Sequence, residues 1–283
     1  MSTVRTQAER LLEQATAELE AGGVSSPRHD AEVLLSHVTG VPRMMLMSSA
    51  KPNGLQVKTF TAMVTARASR VPLQHLTGSA AFRYVDVEVG PGVFVPRPET
   101  ELLAGWAIEH AKTLESPVVV ELCAGAGAIS LSVVHEVPGA QVHAVELDEP
   151  AYEWAQRNLA GTGVDLRLGD MADAFPDLDG QVDVVVANPP YIPLDAWESV
   201  APEARDHDPA LALWSGDDGL DAMRVVDKVA WRLLKPGGVV GAEHADAQGE
   251  SAPAVFAPRW ADVRDHRDLA ERPRFVTATK PRR

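Results

Sequence analysis

The chain has 283 residues and one cysteine, Cys123, so it has the length of one large domain or two ordinary ones and cannot form an internal disulfide. Its hydrophobic content of 45% suits a globular protein with a sizeable core, and no apolar run is long enough to cross a bilayer. The net charge of −14 is uneven: residues 1–80 carry eight Lys/Arg against six Asp/Glu, while residues 81–283 carry eighteen against thirty-four, or −16, which argues against wrapping a long nucleic acid. With no apolar signal region at Met1 and a lone thiol, a cytoplasmic location is expected.

In chain order, Val4, Ala8, Leu11, Leu12, Ala15 and Leu19 fall on one face of a helix over 3–21, ended by Gly22-Gly23. Ser26-Pro27 predicts an N-cap and first helical position, and the helix carrying Ala31, Leu34, Leu35 and Val38 stops at Gly40. Residues 44–47 suit a short turn, and 55–70 a further helix with Phe60, Met63 and Val64. Between Glu32 and Asp86 there is no carboxylate, while Arg43, Lys51, Lys58, Arg67, Arg70 and Arg83 lie within. His29, His37 and His75 have no spacing that gathers ligands, so no metal site is expected. The alternation of Phe82, Tyr84, Val85, Val87 and Val89 predicts a strand, with Gly90-Pro91-Gly92 turning into a second. A helix through Leu102, Leu103, Trp106, Ala107 and His110 follows.

From there strands and helices alternate: strands at 118–122, 141–146, 166–168, 182–187 and 239–243, and helices at 125–134, 149–159 and 220–234. Such alternation predicts an α/β fold with a doubly wound, mainly parallel sheet. The expected organisation is a helical N-terminal domain over 1–75, a linking β-hairpin over 76–98 and the α/β domain over 99–283.

Two stretches carry chemistry. The β-branched run 182–187 stops at Asn188-Pro189-Pro190-Tyr191, because proline donates no ladder hydrogen bond. Ligands in open α/β sheets bind at the carboxyl ends of strands. There the sequence sets one side-chain amide, carbonyls stiffened by proline, and one aromatic face, which suits a planar NH2-bearing group. The second stretch is Glu121-Leu122-Cys123-Ala124-Gly125-Ala126-Gly127, a strand-to-helix turn whose glycines let backbone approach a ligand. By itself this turn fits a dinucleotide site almost as well, but Ile129 and Ser130 stand where that pattern has a third glycine. Glu146, nineteen residues beyond Gly127, ends the next strand where an acid accepts from ribose hydroxyls. Asp170 and Met171 follow the third strand, placed for an adenine amine and ring face, and Glu121 for the amino group of a methionine moiety.

The ordered set of glycine turn, Glu146, Asp170 and Asn188 resembles class I S-adenosylmethionine-dependent methyltransferases, which have a Rossmann-like sheet. Further stretches sharpen this: Pro72-Leu73-Gln74-His75-Leu76-Thr77-Gly78, Val95-Pro96-Arg97-Pro98-Glu99-Thr100-Glu101, Asp208-Pro209-Ala210-Leu211-Ala212-Leu213, Gly216-Asp217-Asp218-Gly219-Leu220, Glu243-His244 and Gln248-Gly249-Glu250. Over nearly its whole length the chain is similar to the HemK/PrmC family, the release-factor glutamine N5-methyltransferases. It departs from the family in the turn, which reads Glu121-Leu122-Cys123-Ala124-Gly125-Ala126-Gly127 where Asp-Leu-Gly-Thr-Gly-x-Gly is usual, and in Glu146, where Asp is commoner.

The resemblance implies transfer of a methyl group from S-adenosylmethionine, leaving S-adenosylhomocysteine, to the glutamine of a Gly-Gly-Gln motif in class I release factors. It implies catalysis by Asn188, Pro189, Pro190 and Tyr191, and a cofactor site of Glu121, Cys123, Ala124, Gly125, Ala126, Gly127, Glu146, Leu147, Asp170, Met171 and Asn188. Arg97 and Glu99 are expected to brace that site, and the basic helical domain to dock the release factor through Arg43, Lys51 and Arg67. A monomer with no stable nucleic-acid or membrane partner is expected. Glutamine methylation of a ribosomal protein and adenine-N6 methylation of nucleic acid are the alternatives; base flipping needs a basic reading surface that the acidic body lacks. A scaffold protein and a nicotinamide oxidoreductase fit less well, the first leaving residues 188–191 without a purpose and the second lacking its third glycine.

Overall fold

The computed structural model describes residues 6–282, which divide into two compact units. The first comprises the helical N-terminal region to Ser79 together with Ala201–His207. Its helices are α1 (Gln7–Ala21), α2 (Pro27–Thr39), α3 (Leu46–Ser49), α4 (Gly54–Ala68) and α5 (Leu73–Thr77). Val4, expected on the first helix, lies outside the described residues. Thr6 and Glu9 close a capping box on α1, and Asn53 with Gln56 closes another on α4, satisfying backbone N–H groups that a helix start leaves unpaired. Ser26 makes no side-chain cap; Pro27 alone, with its preset φ, marks the start of α2. Left-handed Gly40 ends it as expected. Leu12, Leu19, Leu34, Leu35 and Phe60 are fully buried in one core, each contributing about 1.5–3 kcal/mol by leaving water.

Arg67, expected as an exposed docking cation, is instead buried in this unit. It donates to Asp30 at 2.8 Å and to Glu203 at 3.0 Å, and Arg70 grips the same Glu203 at 2.6 and 2.8 Å. A guanidinium there is held by two carboxylates from distant parts of the chain, which no local pattern announces. Burial pushes the Glu203 carboxyl up, but the hydrogen bonds from Arg70 and Arg67 outweigh it and hold the pKa at about 2. Arg43 is exposed and pairs with Glu32 at 3.1 Å.

The second unit begins at Ala80, within β1 (Ser79–Phe82), which pairs antiparallel with β2 (Val85–Glu88). The turn lies at Arg83-Tyr84, not at 90–92 as the alternation suggested, because Phe82 and Val87 both face the core and a single strand through them would not fold back. Arg83 takes a φ of 51°, held by two hydrogen bonds to Glu136 at 2.6 and 2.8 Å. Ala80, Phe82, Val87, Val89, Val93 and Val95 pack into the core of this unit, so the hairpin is part of its body.

Then come α6 (Thr100–Ala111), β3 (Val118–Leu122), α7 (Ala128–Glu136), β4 (Gln141–Glu146), α8 (Glu149–Asn158), β5 (Asp165–Leu168) and β6 (Val182–Ala187). The helix α9 (Pro202–His207) belongs to the first unit; α10 (Asp221–Leu233), β7 (Leu234–Glu243), α11 (Ser251–Phe256), β8 (Ala261–Arg267) and β9 (Pro273–Thr279) complete the second. The sheet has seven strands in the order β5-β4-β3-β6-β7-β9-β8. The first five are parallel and β9 runs antiparallel to both β7 and β8, so the expected doubly wound, mainly parallel sheet is present. Residues 235–238, expected to end a helix, instead open β7; its register against β6 shifts there, and Lys235 reaches Asp183 at 2.9 Å.

Candidate active site

The direction of strand order reverses between β3 and β6, the switch point at which open α/β sheets bind ligands. Leu122 of β3 and Ala242 of β7 both pair with Ala187. One residue further along, Asn188 therefore stands level with Cys123 on one flank and Glu243 on the other. Neighbouring strands are about 4.8 Å apart, so the glycine turn and Asn188-Pro189-Pro190-Tyr191 share one opening.

On the β3 flank, the turn is pinned to β4 by Ala124 N–H donating to Val145 O at 3.0 Å. Cys123, Gly125 and Gly127 have φ of 58°, 54° and 79°. A Cβ on Gly127 would lie 3.0 Å from Leu159, whereas one on Gly125 would meet nothing within 4 Å: the first glycine is needed for packing, the second faces open space. Glu121 is buried and turned toward α7, where its Oε2 accepts from the Ser130 backbone at 2.9 Å and from the Ser130 hydroxyl. Burial pushes its carboxyl up to about 8, against those hydrogen bonds, and the neighbouring Glu146 adds to the rise.

Glu146 accepts Gly125 N–H on Oε2 at 2.7 Å and Asp148 N–H on Oε1 at 2.8 Å. Burial raises its pKa against those backbone bonds. A carboxylate has about four acceptor positions, so acceptor capacity remains beyond these backbone bonds. Gly169 N–H donates to Glu146 O at 2.8 Å, bringing the loops after β4 and β5 side by side. Leu147 is exposed there, as is Asp170, and half-buried Met171 puts its sulfur 3.5 Å from the Cys123 thiol. Burial and the carboxylates of Glu146, Glu121 and Asp170 raise the Cys123 pKa, so the thiol stays protonated and unreactive.

On the β6 flank, the prolines do not act alone. Asn188 Nδ2 lies 3.3 Å from Thr100 Oγ1, and that hydroxyl donates to Glu243 Oε2 at 2.7 Å. Tyr191 donates its hydroxyl to Glu243 Oε1 at 3.2 Å. Burial raises the Tyr191 pKa and the Glu243 charge adds to it, so the phenol stays protonated. The Tyr191 carbonyl accepts from Gln248 Nε2 at 3.0 Å and is so close to Gly219 that a Cβ there would sit 2.3 Å from it. Arg97 stacks on Phe94 at 4.8 Å and donates to buried Asp208 at 2.7 Å. Burial pushes the Asp208 carboxyl up to about 6, against the Arg97 charge.

Thr100, Glu243 and Gln248 lie within stretches that resemble the family, but no local pattern assigns them a role. The available signal was a glutamate, polar and ionisable, ending an otherwise apolar strand. Gly241 explains how Thr100 reaches it: a Cβ there would be 2.4 Å from the Trp106 ring, so only glycine lets α6 lie this close to β7.

Family models match residues 10–78 as a PrmC N-terminal domain and residues 91–201 as a methyltransferase small domain. The chain is 55% identical over 271 residues to the release factor glutamine methyltransferase of Streptomyces coelicolor, covering 94% of this chain and 96% of that one. It is 45% identical to the enzyme of the same name from Mycolicibacterium smegmatis, covering 97% and 98%. A 4-amino-L-phenylalanine/4-methylamino-L-phenylalanine methyltransferase from Streptomyces pristinaespiralis is 40% identical, with 88% of each chain covered. Matched by such relatives over nearly its whole length, the chain belongs to the release factor glutamine methyltransferase family.

Proposed function

We propose that the chain transfers the methyl group of S-adenosylmethionine to the side-chain amide nitrogen of a release-factor glutamine, the glutamine of a Gly-Gly-Gln loop. The observation that carries this reading is the placement, on neighbouring strands β3 and β6, of the glycine turn tied to Glu146 and of the proline-flanked Asn188 amide. When bound, S-adenosylmethionine supplies an electrophilic sulfonium methyl, and S-adenosylhomocysteine is the product. Glu146 would accept from the ribose hydroxyls, the loops bearing Leu147, Asp170 and Met171 would flank the adenine, and the turn at 123–127, tied to Glu146 and held in shape by Glu121 through Ser130, would take the methionine moiety.

A carboxamide nitrogen is a weak nucleophile because its lone pair is delocalised into the carbonyl. The residues present no strong base, so orientation does the work. Asn188 Oδ1 and the Pro189 carbonyl accept the two N–H bonds of the glutamine amide and favour the positive charge that builds on nitrogen as the methyl arrives. With the methyl supplied by bound S-adenosylmethionine, the amide lone pair would form the new N–C bond as the C–S pair returned to sulfur, and the nitrogen would give up one proton to water. Tyr191 packs on the planar amide.

The arylamine relative shares the key feature of its acceptor, a planar nitrogen with a delocalised lone pair, but the matched N-terminal domain favours a protein substrate. The helical unit, with its carboxylate-free span, docks the release factor, and the exposed Arg43 is better placed for this than Arg67. Mass spectrometry of whole release factor after incubation with enzyme and labelled S-adenosylmethionine tests the reading, with 4-aminophenylalanine as the competing acceptor. One added methyl on the Gly-Gly-Gln glutamine is expected; transfer to the amino acid alone would overturn it.

A further inference from the structure

We propose that Thr100 and Glu243 are positioning residues for methyl transfer: through the Thr100 hydroxyl, Glu243 turns the Asn188 carboxamide so that its oxygen, and not its NH2, faces the substrate nitrogen. The proposal deepens the function above and rests on it. Its physical basis is proton counting. A hydroxyl has one hydrogen to give. Thr100 gives that hydrogen to Glu243 Oε2 at 2.7 Å, so toward Asn188, at 3.3 Å, it can only accept. Asn188 must therefore present Nδ2 to Thr100, which leaves Oδ1 at the opposite corner of the planar group, toward the opening. The other carboxylate oxygen takes the Tyr191 hydroxyl, so one buried acid sets the amide and the aromatic ring together. Thr100 and Glu243 are 4% and 1% exposed, so no bulk water competes for either bond.

The arrangement depends on the charge of Glu243. If the acid is protonated, it donates to Thr100, and the Thr100 hydrogen is released toward Asn188. The carboxamide is then as well satisfied with Oδ1 turned inward, and its NH2 confronts the NH2 of the glutamine. Arg274 from β9, Tyr191 after β6 and Glu99 at the start of α6 all face Glu243. Arg274 is shared with Asp268 at 2.9 Å, and Arg97 acts on Tyr191. Just beyond β7, His244 has Nε2 3.0 Å from Asp265 of β8. Burial, which Glu99 reinforces, outweighs the hydrogen bonds from Thr100 and Tyr191 and the charge of Arg274, and sets the Glu243 pKa at about 7. The switch thus lies inside the range in which the enzyme can be assayed.

The test compares wild type, Glu243→Gln, Thr100→Val and Thr100→Ser, each as the full chain, with whole release factor and S-adenosylmethionine across a pH series. Below about pH 7, wild-type kcat is expected to fall about tenfold per pH unit. At alkaline pH, Glu243→Gln and Thr100→Val are expected to lose about 100-fold in kcat with the dissociation constant of S-adenosylhomocysteine unchanged, and Thr100→Ser to recover most of that loss. Equal kcat for the Val and Ser variants would overturn the proposal, as would an acid limb that persists in Glu243→Gln, because that limb would then belong to His244. A second readout needs no turnover. The side-chain 15N signal of Asn188 should titrate with a midpoint near that of Glu243 in wild type and stay flat in Glu243→Gln. If wild type methylates no release factor, the functional reading fails, while the Asn188 signal still decides whether Glu243 sets the amide.

Discussion

The two loops that meet at the switch point are held in opposite ways. The turn after β3 is built from backbone: its N–H groups bond to Val145 O and to Glu146, while the side chains of Cys123, Ala124 and Ala126 make none of those bonds. The loop after β6 is held through side chains, with the Asn188 amide, the Thr100 hydroxyl, the Tyr191 phenol and the Glu243 carboxylate each given one place in a chain of donors and acceptors. A backbone-built cradle tolerates exchange of its residues, because every residue carries the same N–H. A side-chain chain of single protons tolerates almost none. The turn can therefore carry Cys123-Ala124 without losing its N–H groups, whereas exchange at Asn188, Thr100, Tyr191 or Glu243 would break the chain of donors and acceptors.

The sharpest way to break this contrast is Asn188→Ala. It is expected to cost about 2.7–4 kcal/mol of transition-state stabilisation, a kcat loss of about 10²–10³, with cofactor affinity intact by calorimetry. Wild-type turnover in that variant would mean that the acceptor loop orients nothing. Glu146→Ala should do the reverse. Losing charged hydrogen bonds worth about 1.5–3 kcal/mol weakens binding of S-adenosylhomocysteine about 10–150-fold, while kcat at saturating cofactor changes little. A fall in kcat with unaltered affinity would show that the turn and the acceptor loop are not separable.

A smaller effect concerns stability. Glu243 and Glu121 have pKa values raised from 4.5 to about 7 and about 8 in the folded state. Between 4.5 and those values the folded chain keeps protons that the unfolded chain has released, so stability falls as pH rises through that window and levels off above it. Glu203, held at about 2, acts oppositely and contributes stability above 4.5 that is lost on acidification toward its folded value. The melting temperature should therefore peak near about pH 5 and decline toward about pH 8, and Glu243→Gln should flatten part of the decline. A melting temperature that rises steadily over that range would exclude a net protonated pair. The same burial that makes Glu243 costly to ionise makes its charge effective on Asn188.

The smallest expected effect is Cys123→Gly. Its φ of 58° strains any residue with a Cβ, so glycine should raise stability by about 1 kcal/mol or less while kcat stays near wild type. A large loss of cofactor affinity would show that the thiol and its Met171 contact matter to binding after all.

The amino-acid sequence alone determined the central stretches of the five parallel strands, the break at Asn188-Pro189, the glycine turn and the acid at Glu146. Each is a local matter: β-branched runs, prolines that donate no hydrogen bond and glycines at positive φ act within a few residues. Antiparallel β8 and β9 were not foreseen, since strands rich in charge such as Ala261–Arg267 lack a clean alternation. Only the tertiary structure decided which polar groups would share a proton. Thr100 and Glu243 are 143 residues apart and meet because Gly241 admits α6 against β7. Arg67 reads as a surface cation in its segment, yet folding gives it Asp30 and Glu203, the latter 136 residues away. A buried charge is set by partners that close packing brings from afar, and sequence periodicity records which face is buried but not which partner awaits there.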